Sequence, residues 1–197
     1  MEKLTCRFAK EQDAAAILAI YEPYINNTAV TFECETPSLK EFAARIRGIS
    51  ADYPYLVCCA DGKIVGYAYG HRQMQRDAYQ WNAELSVYIG RGWQCRGIGK
   101  ALYGALIEIL RLQNVRNVYG GVTMPNAGSE SLHAALGFTK LGTYHSTGWK
   151  CGAWHDVAWF EKQIGSCDLK PQPFRSIKTL PPGSADEILR RCPVCSR

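Results

Sequence analysis

Long apolar runs are missing from this 197-residue sequence: none approaches the about 20 residues that a membrane-spanning helix requires. Runs of Lys and Arg are missing too. The densest basic stretch is Arg190-Arg191, and a formal net charge of +5 is dispersed along the chain, so nucleic acid is not an expected partner. The first residues, Met1 to Arg7, lack the apolar core of a secretory leader. Nine cysteines form an odd count, and several sit in apolar company, as in Val57-Cys58-Cys59-Ala60. Free thiols in a reducing cytoplasm fit this pattern better than a disulfide framework. Cys192-Pro193-Val194-Cys195 has the spacing of a metal knuckle, but no second pair or nearby His completes four ligands, so no metal is expected. No internal repeat is visible.

What is present suffices for one full core: 47% of the residues are hydrophobic. Leu4 to Ala9 reads as a strand, and Asp13 as the cap of a helix carrying Ile17, Leu18, Ile20, Tyr21 and Tyr24 at helical spacing. Thr31-Phe32-Glu33 lies in a turn region. Ser38-Leu39-Lys40-Glu41 is a capping box opening a second helix. Strands 55–60 and 63–71 flank Asp61-Gly62, a hairpin signal, and a third strand spans 81–89. Ile98, Leu102, Ala105, Leu106 and Ile109 form the stripe of a half-buried helix. A strand at 115–123, a helix at 126–136 stopped by Gly137, and strands near 138–147 and 153–163 follow. This order predicts an α+β domain over 1–164, with antiparallel strands first and a β–α–β–α–β half after them. Prolines 171, 173, 181, 182 and 193 crowd the last segment, 165–197, which reads as a tail wrapped on the surface or partly disordered.

Two segments carry chemistry. Gln94-Cys95-Arg96-Gly97-Ile98-Gly99-Lys100 lies between a strand and an amphipathic helix. Glycines there let backbone N–H groups approach a ligand, and the helix start adds its positive end, which suits a phosphate. A tight turn explains the glycines equally well, and the spacing is not that of a dinucleotide-binding loop. In the second segment, Asn126 to Phe138, a helix cap and a Gly stop account for Asn126 and Gly137.

Together the two segments resemble the GNAT acetyltransferase superfamily. Its coenzyme loop, Gln/Arg-x-x-Gly-x-Gly/Ala, appears as Gln94-x-x-Gly97-x-Gly99. Its later element appears as Asn126, Ser129, His133, Gly137 and Phe138. The narrower resemblance is to phosphinothricin and methionine sulfoximine acetyltransferases, over about residues 5 to 164. It is carried by Ile20-Tyr21, Thr31-Phe32-Glu33, Gly66-Tyr67-Ala68-Tyr69, Arg76-x-Ala78-Tyr79-x-Trp81, Glu84-x-Ser86-Val87-Tyr88 and Gly148-Trp149-Lys150-x-Gly152-x-Trp154-His155-Asp156-Val157.

The resemblance implies a mostly antiparallel mixed sheet, splayed at an acetyl-CoA site and flanked by helices. Pyrophosphate is expected on the amides of Gln94, Cys95, Arg96, Gly97, Ile98, Gly99 and Lys100. Cys95 stands where relatives often carry a basic residue, with Arg96 and Lys100 at hand to compensate. The pantetheine arm is expected along Val87, Tyr88 and Ile89, on a strand splayed by a bulge, with an oxyanion donor near Val87. Asn126 and Ser129 complete the coenzyme site. Glu84 is the implied general base, acting through water. His133 is either the acid for the leaving thiolate or an orienting group. Phe32, Tyr69, Arg76 and Tyr79 line the implied acceptor pocket, with Met74 where relatives that take phosphinothricin usually carry Lys or Arg, and Arg72 as a possible substitute. Trp154-His155-Asp156 reads as strand pairing or a homodimer element. The expected acceptor is a small amino-acid-like amine. Alternatives are a polyamine, an aminoglycoside or a protein N-terminus, and outside catalysis an acetyl-CoA-binding module.

Overall fold

The computed structural model describes residues 2–166, 170–192 and 194. Its elements run β1 (Leu4–Phe8), α1 (Ala14–Asn27), α2 (Leu39–Ile49), β2 (Tyr55–Ala60), β3 (Lys63–Arg72), β4 (Asn82–Ile89), α3 (Ile98–Leu112), β5 (Asn117–Thr123), α4 (Ala127–Ala135), β6 (Thr139–Lys150), β7 (Ala153–Gln163) and α5 (Ser184–Arg190). The seven strands form one sheet in the order β1-β2-β3-β4-β5-β7-β6. Every neighbouring pair is antiparallel except β4 and β5.

Local chemistry explains several boundaries. Asp61 and Gly62 turn the β2–β3 hairpin with φ of 45° and 85°, the left-handed pair that a two-residue hairpin turn demands. Ser38 opens α2 with a reciprocal box: its hydroxyl accepts from the Glu41 amide, and the Glu41 carboxylate accepts from the Ser38 amide. Asp13 differs from expectation. Its carboxylate makes no cap on α1 but accepts two bonds from the Arg7 guanidinium, at 2.6 and 2.8 Å, and one from the Lys10 amide at 2.7 Å. A short 3-10 turn at Glu11–Asp13 precedes α1, and Arg7 on β1 offers a bidentate partner that outcompetes single amides. That pairing holds the Asp13 carboxyl below the usual carboxylate range.

The sheet is covered on both faces, and β2 is buried at all its positions. Alternate residues therefore feed two cores. Leu56, Ala68, Ala83, Leu85 and Val118 pack under α3. Tyr55, Val57, Tyr67 and Cys59 pack under α1 and α2. The described residues beyond Gly165 that join a core pack on the α3 side. Phe174 stacks on Tyr53 with ring centroids 4.8 Å apart, and Leu180, Ile188, Leu189 and Cys192 join the α3 core. Buried Gln113 ties the segment down by donating to the carbonyls of Asp52 (2.6 Å) and Arg175 (2.8 Å). The Cys192 sulfur lies 3.2 Å from that of Cys6 on β1. Of the C-x-x-C stretch, Pro193 and Cys195 lie outside the described residues.

Candidate active site

β4 and β5 pair only through Asn82–Asn117, Ala83–Val118 and Glu84–Tyr119. Past Glu84 they diverge, and the fork encloses a cavity of about 70 Å³ whose walls include Glu84, Val87, Tyr103, Asn126, Ser129 and His133. The expected bulge in β4 is absent from its register with β3, which runs unshifted from Gly66–Ile89 to Arg72–Ala83. Tyr103 of α3 donates its hydroxyl to the Leu85 carbonyl at 3.1 Å, replacing the partner that β5 no longer supplies.

Strand parity then decides which backbone groups face the fork. The Gly90 amide donates to Val65 on β3 at 2.8 Å, so even-numbered β4 residues bond toward β3 and odd-numbered ones away from it. Leu85 and Ile89 have their carbonyls capped by the hydroxyls of Tyr103 and Tyr24, the latter at 2.6 Å. Val87, between them, presents its amide and carbonyl to the open side. Of the three expected coenzyme positions, Val87 offers both its amide and its carbonyl, and Ile89 offers its amide alone. Tyr88 turns its peptide to β3 and packs its ring against Tyr21, Tyr24 and Tyr67, while the Ile89 carbonyl is taken.

The Gly loop follows β4. Cys95 and Gly97 both have positive φ, 59° and 81°, and Gly97 is the residue before α3. This alternation gathers successive amides into a concavity at the helix start. The N–H groups of residues 95–100 donate to no group among the described residues. Gln94 braces the loop: its side-chain oxygen accepts from the Gly92 amide at 2.8 Å. Arg96 lies over the Trp93 ring, 4.5 Å from its centroid, and pairs with Glu2 at 3.2 Å.

Glu84 and His133 stand on opposite faces of the sheet at the fork. Glu84 alternates with core residues Ala83 and Leu85, so it shares the other face with its register partner His71 and with Tyr69 and Ser86. Burial pushes its carboxyl above the usual range, and the charge of nearby His71 partly opposes the shift. His133, on α4, is 2% exposed. Its Nδ1 lies 2.8 Å from the Ser129 carbonyl, an acceptor only, so Nδ1 carries the proton. Nε2 is buried without a partner, against Gly120 of β5. Phe160 stacks on the ring at 4.9 Å, and burial lowers its pKa, keeping it neutral. Asn126 caps α4 by accepting from the Ser129 amide at 3.0 Å.

Of the expected acceptor residues, Tyr69 shares the Glu84 face of the sheet. The 31–33 loop is fixed by Tyr21 bonding Thr31, by an Arg45–Glu33 pair at 2.7 Å, and by buried Lys150 donating to the Thr31 carbonyl at 2.7 Å. Phe32 rests directly on Gly148 of β6, where any Cβ would collide with its ring. Tyr69 stacks on Tyr55 with ring centroids 4.9 Å apart and on Tyr67 at 6.4 Å. Met74, Arg76 and Tyr79 lie on the exposed loop between β3 and β4, and none of them lines the fork cavity. Arg72 is committed to that loop: its Nε donates to the Met74 carbonyl (2.9 Å) and its Nη2 to Asp77 (3.0 Å). Residues that sequence reasoning missed are Tyr103, Tyr24, Val30 and Thr123. Tyr103 left a signal, since a tyrosine on the buried side of a helix needs a hydroxyl partner. The Nε2 of His155 donates to the Lys150 carbonyl of its own hairpin at 2.9 Å, and Asp156 pairs with exposed His145, so neither forms a dyad at the fork.

An open strand edge and a cradle of unbonded amides are the features that a thioester coenzyme with a pyrophosphate would satisfy. A fork between parallel strands beside such a cradle defines an acyl-coenzyme-A transferase site. The chain belongs to the GNAT acetyltransferase family: the family model "Acetyltransferase (GNAT) domain" matches residues 6–159. It is 33% identical to the phosphinothricin N-acetyltransferase of Streptomyces viridochromogenes over 171 residues, 87% of this chain and 93% of that one. It is 31% identical over 162 residues to the L-methionine sulfoximine/L-methionine sulfone acetyltransferase of Salmonella typhimurium, covering 82% and 95%. The crystal structure of a phosphinothricin acetyltransferase from Sinorhizobium meliloti in complex with acetyl-CoA superposes with a TM-score of 0.83 at 31% identity, covering 92% and 97%. Among the described residues no helix is long and apolar enough to cross a membrane.

Proposed function

We propose that this protein transfers the acetyl group of acetyl-CoA to the primary amine of a small amino-acid-like acceptor of the phosphinothricin, methionine sulfone or methionine sulfoximine kind. The observation that carries the reading is the fork itself, with Glu84 on one face and the free Val87 edge in the gap. When bound, acetyl-CoA supplies the acetyl group as a thioester. Amides 95–100 hold its pyrophosphate, and the Val87 N–H donates to the carbonyl oxygen as negative charge develops there. Glu84 accepts the proton that the acceptor ammonium must lose, through a water, and its burial moves it toward the working pH range. The amine then forms the C–N bond as the C–S bond breaks, the amide nitrogen gives up its second proton to solvent, and the thiolate takes a proton from solvent.

His133 is assigned as a positioning residue. Its proton is committed to Ser129, so Nε2 can accept but has none to give. Phe32, Tyr69, Arg76 and Tyr79 form the acceptor's surroundings, with Arg76 free to meet a carboxylate. A polyamine suits this face less well, because Glu33 is already paired with Arg45. Leu141, Tyr144 and Trp149 on the edge strand β6 and Trp154 beside Trp149 on β7 are large exposed apolar side chains, which supports assembly as a homodimer. The free thiols of Cys34, Cys58, Cys59, Cys95 and Cys151 suit a reducing cytoplasm.

A thiol-release assay over phosphinothricin, methionine sulfone, methionine sulfoximine, spermidine and an aminoglycoside tests the proposal. Turnover confined to the amino-acid analogues is expected. Turnover of the polyamine or aminoglycoside alone would overturn the acceptor class, and thiol release with none of them would return the chain to a coenzyme-binding role.

A further inference from the structure

A cavity of about 510 Å³ opens beside the coenzyme loop, away from the fork. One wall is the first half of α3, with Arg96, Lys100 and Gly104. The other is the C-terminal segment, with Ile188, Arg191 and Val194. Three cations face one carboxylate in its lining, Glu108. Its volume is within the range of pockets that take small organic ligands, and its apolar floor includes Ala101, Ala105 and Leu136. Arg96, Gly97 and Lys100 belong both to this cavity and to the stretch of free amides, so the two sites are continuous.

Any acetyl-CoA whose pyrophosphate lies on those amides has its thioester end in the fork. Its other end, the adenosine 3′-phosphate, leaves the cradle from the opposite side. We infer that the C-terminal segment builds the far wall of the subsite for this 3′-phosphoadenosine, and that Arg191 reads the 3′-phosphate. This rests on the cradle reading above.

The chemistry favours that occupant. A phosphate monoester carries nearly two negative charges at neutral pH and prefers a guanidinium fork. Arg191 holds its own helix only loosely: Nε donates to the Glu187 carbonyl at 3.4 Å, and the ion pair with the Glu187 carboxylate is 3.8 Å long with the two side chains 66% and 62% exposed, a geometry that contributes little. Lys100 makes no ion pair among the described residues. Gly104 leaves the groove open, with no atom within 4 Å of where its Cβ would stand. The anchoring of α5 through Leu189 and Cys192 in the α3 core holds Arg191 in place without a contribution from the ligand.

Calorimetric titration with acetyl-CoA and with 3′-dephospho-acetyl-CoA tests the assignment. Wild type is expected to bind acetyl-CoA about tenfold more tightly than the dephospho form. Arg191→Gln should lose most of that preference while binding 3′-dephospho-acetyl-CoA within about twofold of wild type. Gly104→Leu keeps a good helix former on α3 and fills the groove, so it should weaken both forms. Equal losses for the two coenzymes in Arg191→Gln, or no loss in either variant with the fold retained by circular dichroism, would overturn the inference. Failure of wild type to bind either coenzyme would instead overturn the cradle reading beneath it.

Discussion

Introducing a cation at Met74 is expected to change which acceptor this enzyme prefers. Phosphinothricin carries an anionic phosphinate, whereas methionine sulfone ends in a neutral group. Met74 stands on the β3–β4 loop beside Arg76, with 44% of its surface exposed. A charge-assisted bond at a dry site contributes about 1.5–3 kcal/mol, while an exposed ion pair contributes about 0.2–1 kcal/mol. The exposure of Met74 places a new Arg near the boundary, at about 1 kcal/mol, or roughly fivefold. Met74→Arg should therefore raise kcat/KM for phosphinothricin by about fivefold and leave methionine sulfone nearly unchanged. Arg72 does not already fill this role, because both its bonds hold the loop. Arg72→Ala should raise KM for both acceptors by loosening that loop. Thiol-release kinetics on the two acceptors decide the matter. Loss of phosphinothricin turnover alone in Arg72→Ala, with no gain in Met74→Arg, would refute this arrangement of the pocket.

Glu84→Gln should lower kcat by about 100-fold or more with acetyl-CoA affinity unchanged, the size of a lost general base. In wild type the acid limb of the kcat profile should lie above the ordinary carboxylate range, because burial raises this group. The sign for stability is the reverse of an ion-paired acid: a raised folded pKa means the native state holds its proton longer, so stability falls as pH rises from the unfolded pKa through the folded one. The Gln variant should thus melt no lower than wild type at neutral pH, and a lower melting temperature there would contradict the burial argument. Gly99→Ala adds a Cβ 3.6 Å from Leu132 and 3.9 Å from Val87, ordinary contacts that the fold tolerates, yet it narrows the mouth of the fork. Gly99→Val should weaken acetyl-CoA at least about tenfold, or 1.4 kcal/mol, and unchanged affinity in a folded variant would remove the cradle.

Much of the fold was legible because its signals are local. The Ser38–Glu41 box, the Asp61-Gly62 turn and the α3 stripe each need only a few neighbouring residues, and each appears where the pattern put it. Asp13 was misread because its partner, Arg7, sits on another element and wins through bidentate geometry. The residues after 165 read as a surface wrap because five prolines dominate the composition there, and the short helical pattern of Ala185, Ile188, Leu189 and Cys192 spans only about two turns. The site divides the same way. The loop and Glu84 could be placed from motif matches, but the backbone that faces the fork could not. That depends on the register of β4 against β3, a long-range fact that turns Val87 and Ile89 to the open side and Tyr88 to β3. Likewise His133 was legible as a position and not as a tautomer, which the Ser129 carbonyl one turn earlier decides.

The central claim is that the coenzyme lies along the Val87 edge with its pyrophosphate on the amides that open α3. Titrating uniformly 15N-labelled protein with acetyl-CoA and following backbone amide resonances tests it directly. The account predicts the largest shifts at Val87 and at residues 95–100, with the slowest hydrogen exchange gained at those same amides. Shifts concentrated elsewhere, with Val87 and the 95–100 amides unmoved at saturation, would contradict it.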